Sequence, residues 1–315
     1  MLLAGSPMES FPKKVYAVIV SWNGASWIQG ALDSLQQSRY PVRSLVVDNA
    51  SSDETVETIT SCYPDVELLE MGSNLGFGKA NNKGISRALS YGADYVLLLN
   101  QDAKVAPETV EQLVNLMELH PDFGIVSPLH LDYEGKQIAS RFLPYMAKNA
   151  QLISEVFFGT EKDLYEMPFV PAAIWLLSRR MLEGVGGFDP LFFVGGEDND
   201  LCNRARFHGF KVGVSPRALG CHSEGPENHK TTTIGARSFF YYGQILRFIK
   251  APENDFISNS ISVLGSWTRA SIGNLTILNF KDSLAIALAL LKTGTSLYRI
   301  WQHYNLSKRQ GSLWL

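Results

Sequence analysis

Five polar clusters in this 315-residue chain combine residue types that can do chemistry. Leu97-Leu98-Leu99-Asn100-Gln101-Asp102 is a hydrophobic run ending in an Asn-x-Asp pair. One carboxylate there suffices for Mg²⁺ or Mn²⁺ bridging two phosphates, because phosphate and water oxygens complete the shell. A plain loop aspartate is the equal alternative. In the cluster from Gly186 to Asp200, which passes through Phe192-Phe193-Val194 and ends in Gly195-Gly196-Glu197-Asp198-Asn199-Asp200, carboxylates crowd just before a helix. Glycines and aromatics beside Glu197 and Asp198 suit a cleft, where a carboxylate next to a hydroxyl serves as general base. Capping of the positive helix end is the other reading. Asp200 and Arg204, four apart, read as a structural pair.

The other three clusters are less specific. Asp48, at the end of Val46-Val47, is placed to accept from a base imide or a ribose hydroxyl. Asp48 and Asn49 also suit a turn, and Asp53 a helix cap. Gly72 to Gly84 is glycine-rich and opens a helix, where phosphate binding is natural. It has no GK[ST], and Gly76-Phe77-Gly78 is followed by Asn81 rather than a third glycine, so it is neither a Walker loop nor a dinucleotide fingerprint. A simple glycine-rich strand-to-helix turn is the plainer reading. His222, in Gly220-Cys221-His222-Ser223, is a candidate metal ligand or a structural histidine.

These clusters need elements to bring them together. Val15 to Val20, Ser44 to Val47, Val66 to Leu69 and Tyr95 to Leu99 read as strands. Between them lie helices over about 26–37, from Asp53 or Ser52 to about Cys62, and over 78–89. A βαβαβαβ order predicts a mainly parallel sheet covered on both faces. Ligands in such sheets bind at the carboxyl ends of the strands, so the clusters converge on one edge. Next come a helix over 107–120, strands at 124–127 and 174–178, a helix over about 198–208 and a strand at 217–220. Residues 129–167 show weak periodicity and read as loops with a short helical segment. Trp175 reads as a core residue before an aromatic face for a sugar. After about Thr231 the pattern is helical: 238–249, 256–272 and 281–304.

Composition narrows the class. With 45% hydrophobic and 19% charged residues and a net charge of −3, the chain is an ordinary globular protein without the basic excess of a nucleic-acid binder. Cys62, Cys202 and Cys221 are odd in number and far apart, which predicts no disulfide framework and a reducing compartment. The first seven residues are too short and uncharged for a signal peptide. Apolar runs such as Leu284 to Leu291 fall short of the roughly 20 residues that span a bilayer.

Taken in order, the clusters resemble family 2 glycosyltransferases of the GT-A fold, in the rhamnosyl- and galactofuranosyl-transferase-like branch. The resemblance runs from about Lys14 to Ser223. It rests on Ser21-Trp22-Asn23, Val47-Asp48-Asn49-Ala50-Ser51-Ser52-Asp53, Asn74-x-Gly76-Phe77-Gly78-x-x-Asn81, Asn100-Gln101-Asp102, Gly186-Gly187-Phe188-Asp189, Glu197-Asp198-x-Asp200-x-x-x-Arg204 and His222. It implies a Rossmann-like, mainly parallel sheet with helices on both faces, plus C-terminal helices. It divides the chain into a nucleotide-sugar half (14–128), an acceptor half (129–230) and a helical region (231–315). Ser21, Trp22 and Asp48 would hold base and ribose, and Asn74, Lys79 and Asn81 would line the same pocket. Asn100-Gln101-Asp102 stands at the family's DxD position, with asparagine replacing the first aspartate. That leaves Asp102 as the charged metal ligand and Asn100 as a neutral partner. Asp198 matches the catalytic base, with Glu197 beside the acceptor, and His222 matches a further metal ligand in some members. Lys230 and Arg237 are weaker candidates for the diphosphate.

The implied reaction is inverting transfer from a UDP- or dTDP-linked sugar to a saccharide or lipid-linked saccharide in bacterial surface glycan synthesis. The implied cofactor is Mg²⁺ or Mn²⁺, and no nucleic acid partner. The expected location is cytoplasmic, at the inner face of the membrane if the C-terminal helices touch lipid. Those helices are candidates for packing on the catalytic domain, for a homodimer face or for peripheral membrane contact, packing being the simplest. Two rivals remain on the same fold. A nucleotidyltransferase would need basic residues after the first strand, where Ser21-Trp22-Asn23-Gly24 has none. A non-catalytic nucleotide-sugar binder would not need both Asp102 and Asp198.

Overall fold

The β-branched run from Val15 is buried on both faces, and alternation along it builds two apolar layers. Tyr16 and Val18 face a cluster holding Ile85, Trp175, Phe188 and Leu201. Ala17 and Ile19 face another holding Ile28, Leu32, Leu113 and Leu176. The computed structural model describes residues 12–223, 233–276 and 280–315. The opening seven residues and Lys230 lie outside the described residues.

In chain order the elements are β1 (Val15–Ser21), α1 (Ile28–Gln36), β2 (Val42–Asp48), α2 (Thr55–Cys62), β3 (Glu67–Glu70), α3 (Phe77–Ser90) and β4 (Tyr95–Leu99). Then follow β5 (Ala103–Val105), α4 (Thr109–Leu119), β6 (Phe123–Leu131), α5 (Leu143–Met146), α6 (Ala150–Phe158), β7 (Tyr165–Glu166) and β8 (Ile174–Ser178). Last come α7 (Arg179–Val185), α8 (Glu197–Phe207), β9 (Lys211–His222), α9 (Ile234–Ile249), α10 (Phe256–Thr276) and α11 (Phe280–Ser307).

One mixed sheet runs β3-β2-β1-β4-β8-β6-β9-β5, with β7 on β9. β1 pairs parallel with β2 and with β4, and β2 with β3. The expected strand at 174–178 is there, but as β8 it runs antiparallel between β4 and β6. It ends where Ser178 caps α7 by accepting from the Met181 N–H. Sheet continuity carries the second half of the chain into the first, and the 128/129 division falls inside β6. The strand expected at 217–220 is the end of the longer β9, whose Gly213, Ser215 and Pro216 interrupt the apolar pattern.

Residues 129–167 hold more order than expected. Asn149 caps α6 through the Leu152 N–H, and Gly159 ends it in the left-handed region. Leu152 of this helix is buried in the core, whereas Phe157 and Phe158 are exposed. A third apolar cluster of Leu191, Phe192, Tyr242, Ile245, Leu246 and Ile300 fastens α9 and α11 to the sheet domain. No described helix is long and apolar enough to cross a membrane.

Candidate active site

The strand order reverses between β1 and β4, and ligands of open α/β sheets sit outside the carboxyl ends at such a point. A cavity of about 370 Å³ lies there, lined by Trp22, Asn49, Asn74, Asn100, Gln101 and Asp102 among others. Gln101 bridges the two strand ends. Its Oε1 accepts from the Trp22 N–H at 2.9 Å and its Nε2 donates to the Trp22 carbonyl at 3.3 Å. Gly24 makes room for this: a Cβ there would lie 2.2 Å from Gln101 Oε1. Trp22 stands 53% exposed beside the cavity.

Asn49 and Asn74 shape the next wall. Asn49 Nδ2 donates to Asn74 Oδ1 at 2.9 Å, and the same oxygen accepts from the Gly76 N–H at 2.8 Å. Gly76 has φ +80°, and a Cβ there would approach the Phe193 carbonyl to 2.6 Å. The β3–α3 turn and the loop before α8 therefore touch across the cavity.

A second cavity of about 540 Å³ adjoins the first. Phe193 and Val194 line the first, and Gly195 and Gly196 the second. Glu197, Asp198, His222, His130, Tyr145 and Arg247 also face the second. His222 Nε2 lies 3.4 Å from Asp102 Oδ1 and 3.4 Å from Asn100 Nδ2, so these three meet where the cavities join.

α8 starts at Gly196, in the left-handed region at φ +95°. Glu197 and Asp198 enter the first helical turn, near the positive helix end. Asp198 Oδ1 accepts from the Asn199 N–H at 2.8 Å and from Asn199 Nδ2 at 3.1 Å. Burial raises the Asp198 carboxyl above its usual range, against the Asn199 donors and Arg247. Glu197 is 8% exposed, and its Oε2 is buried with no hydrogen-bond partner. Burial, then the charge of Asp198, push Glu197 up to about 8. Burial thus opposes ionisation of both neighbouring carboxyls, and the charge of Asp198 adds to it at Glu197.

Asp102 and His222 present one carboxylate and one imidazole to the cleft, with side chains 30% and 22% exposed. Among the described residues no group of three or more His, Cys, Asp or Glu forms a metal cage. This donor set fits a hard divalent cation that takes its remaining ligands from phosphate and water. His130, close behind His222 with ring centroids 6.3 Å apart, is fully buried and held neutral by burial and by His222, its pKa down to about 3.

Residues 16–186, more than half of the chain, match the profile of Glycosyl transferase family 2. The chain belongs to that family. This glycosyltransferase is 27% identical over 241 residues to the N-acetylglucosaminyl-diphospho-decaprenol L-rhamnosyltransferase of Mycobacterium tuberculosis, covering 69% of this chain and 76% of the relative. It is 26% identical over 223 residues to the dTDP-rhamnosyl transferase RfbF of Shigella flexneri, covering 70% and 72%. Among solved structures, the mannosyltransferase PcManGT from Pyrobaculum calidifontis, in complex with GDP-Man and Mn²⁺, aligns with a TM-score of 0.57 at 20% identity, over 96% of this chain and 89% of that one. S. aureus TarS 1-349 in complex with UDP-GlcNAc aligns with a TM-score of 0.57 at 14% identity, over 91% and 92%. These two establish the shared GT-A fold.

Not every residue expected in the cleft of the glycosyltransferase reaches it. Trp22, Asn74, Asn100, Gln101 and Asp102 line the first cavity, and Glu197, Asp198 and His222 the second. Ser21 and Asp48 are buried behind them. Asp48 is 2% exposed and accepts from Ser21 Oγ, Ser51 N and Ser51 Oγ, so its carboxylate braces the β2 loop. Asn81 is buried on α3, where Nδ2 donates to the Phe77 carbonyl, and exposed Lys79 lines neither cavity. Arg237 pairs with Asp282 of α11. Sequence reading gave no cleft role to Asn49, His130, Tyr145 or Phe193. Asn82 was passed over too, although it holds Phe188 N and O to α3 at 2.8 Å each. Asn49, Asn82 and Phe193 lie within the polar clusters singled out in the sequence, whereas His130 and Tyr145 lie outside them.

Proposed function

We propose that this glycosyltransferase moves one sugar from a nucleotide diphosphate sugar to a hydroxyl of a saccharide or lipid-linked saccharide, with inversion. The observation that carries the reading is the junction of the two cavities. Asp102 lines the donor cavity, His222 meets it from the second, and Asp198 stands on the far side with its carboxyl raised by burial.

Trp22, Asn74 and the Asn100–Asp102 turn bind the nucleotide diphosphate, with Asp48 and Ser21 holding their loops in register. Asp198 takes the proton from the acceptor hydroxyl, and that oxygen attacks the anomeric carbon. The bond to the diphosphate breaks on the opposite side, so one base suffices and no sugar-enzyme bond forms. Glu197, protonated near neutral pH, donates to the acceptor. Asp102 and His222, with Asn100 as neutral neighbour, would hold Mg²⁺ or Mn²⁺. When bound, the cation supplies positive charge against the departing diphosphate. The names of the two relatives favour a deoxyhexose donor, dTDP-linked in one, and a saccharide-diphospho-polyprenol acceptor in the other, while a UDP-linked sugar is bound in the TarS neighbour.

A thermal-shift screen of nucleotide sugars with and without Mn²⁺ tests this, because a ligand of the folded state raises apparent stability. UDP- or dTDP-sugars should raise the melting temperature more with Mn²⁺ present, and Asp102→Ala should remove the Mn²⁺-dependent part. No shift with any nucleotide sugar contradicts the reading.

A further inference from the structure

We infer that α11 carries a docking surface for an anionic lipid bilayer. The 28-residue helix is apolar on two sides. Ala285, Ile286, Ala289 and Ile300 are buried toward the protein, whereas Phe280, Leu284, Leu288, Leu291 and Tyr298 are exposed, Leu291 at 65% and Tyr298 at 70%. At 3.6 residues per turn, the exposed set falls within one stripe of about 80° of the helix, extending roughly 27 Å along it. A helix apolar on its outer side as well as its inner one needs a second partner. α10 adds Ile257, Ile261 and Ile272, exposed at similar helical spacing.

Charge selects lipid as that partner. Residues 256–315 contain six Lys or Arg and a single acid, Asp282, whereas residues 1–255 contain 22 basic and 30 acidic residues. Asp282 pairs with Arg237 of α9. Lys281, Lys292 and Arg299 recur along one border of the apolar stripe, about 100–120° around the helix from Phe280. An apolar band flanked by long cationic side chains and by no acid fits the boundary between headgroups and acyl chains of an anionic membrane. The stripe also sits near the cleft. Lys292 Nζ lies 4.0 Å over the Phe239 ring, and Phe239 is 5.9 Å from Phe193, which lines the donor cavity. Docking through α11 brings the cleft mouth to the membrane. That consequence rests on the lipid-linked acceptor proposed above, but the surface itself does not.

Flotation of the full chain with phosphatidylcholine vesicles, with and without phosphatidylglycerol, tests the surface. The chain should float with the anionic vesicles, weakly with neutral ones, and less as salt is raised. Leu288→Glu/Leu291→Glu, both exposed positions, should lower anionic-vesicle binding roughly tenfold or more while leaving the melting temperature and transfer to a soluble acceptor at parental values. Lys281→Glu/Arg299→Glu should weaken binding as well. A parental chain that stays with the unbound protein, binding indifferent to headgroup charge, or a folded Leu288→Glu/Leu291→Glu chain that floats like the parent overturns the inference. Vesicle binding needs no turnover, so its failure is separable from failure of the proposed reaction.

Discussion

At the scale of residues, the site turns on two adjacent carboxylates with different fates. Glu197 has an unpartnered, buried Oε2, and its pKa of about 8 is set by burial and Asp198. A carboxyl raised in the folded state keeps a proton that the unfolded chain releases. It therefore costs stability as pH rises from the ordinary glutamate value of 4.5 to about 8, and the cost levels off above that. Glu197→Gln should gain melting temperature over the parent progressively through that window, by a few degrees at its upper end. Thermal melts across pH check this; an equal difference at pH 4 and pH 8 contradicts it. The sequence made this pair legible, because acids beside glycines before a helix suit a cleft. It did not make Asp48, Lys79 or Asn81 legible. Their types match a pocket, but Asp48 is bonded by Ser21 and Ser51, Asn81 is buried against the Phe77 carbonyl, and Lys79 lines neither cavity.

At the scale of elements, α8 is held by a buried ionic network that fixes where Glu197 and Asp198 stand. Arg204 Nε donates to Asp200 at 2.8 Å, as the spacing of four predicted, and Lys250, just past the end of α9, bonds both Asp200 and Asp189. His303 of α11 lies 2.7 Å from Asp189. Burial pushes the Asp189 carboxyl up, but Lys250 and His303 outweigh it and hold the group below its usual range. Lys250→Met leaves two buried carboxylates short of a partner and should cost about 3–5 kcal/mol. Urea unfolding measures this, and a loss under 1 kcal/mol contradicts the network's role. Local pairs such as Asp200–Arg204 are visible in sequence because a helix turn joins them. Lys250 and His303, 50 or more residues away, carry no local sign. The same holds for strands: β1, β2, β3 and β4 announce themselves by apolar runs, whereas the antiparallel setting of β8 depends on partners that periodicity does not name.

At the scale of the whole molecule, the C-terminal helices close a circuit around the catalytic domain. The Leu313 carbonyl accepts from the Gly187 N–H at 2.9 Å, and the Trp314 ring lies 4.8 Å from Arg204 and 5.6 Å from Lys250. Trp314 thus covers the network that holds α8, so Trp314→Ala should cost about 2 kcal/mol and lower kcat more than it raises donor KM; unchanged stability contradicts that cover. Packing of these helices on the catalytic domain agrees with the simplest sequence reading, although their outer face needs a further partner. The central claim is that Asp198 is the base of a glycosyl transfer whose donor binds around Asp102. The most direct measurement pairs nucleoside diphosphate release with calorimetric donor binding for the parent and Asp198→Asn. Turnover should fall about a thousandfold while donor affinity stays within roughly twofold. Turnover within about tenfold of the parent would contradict it.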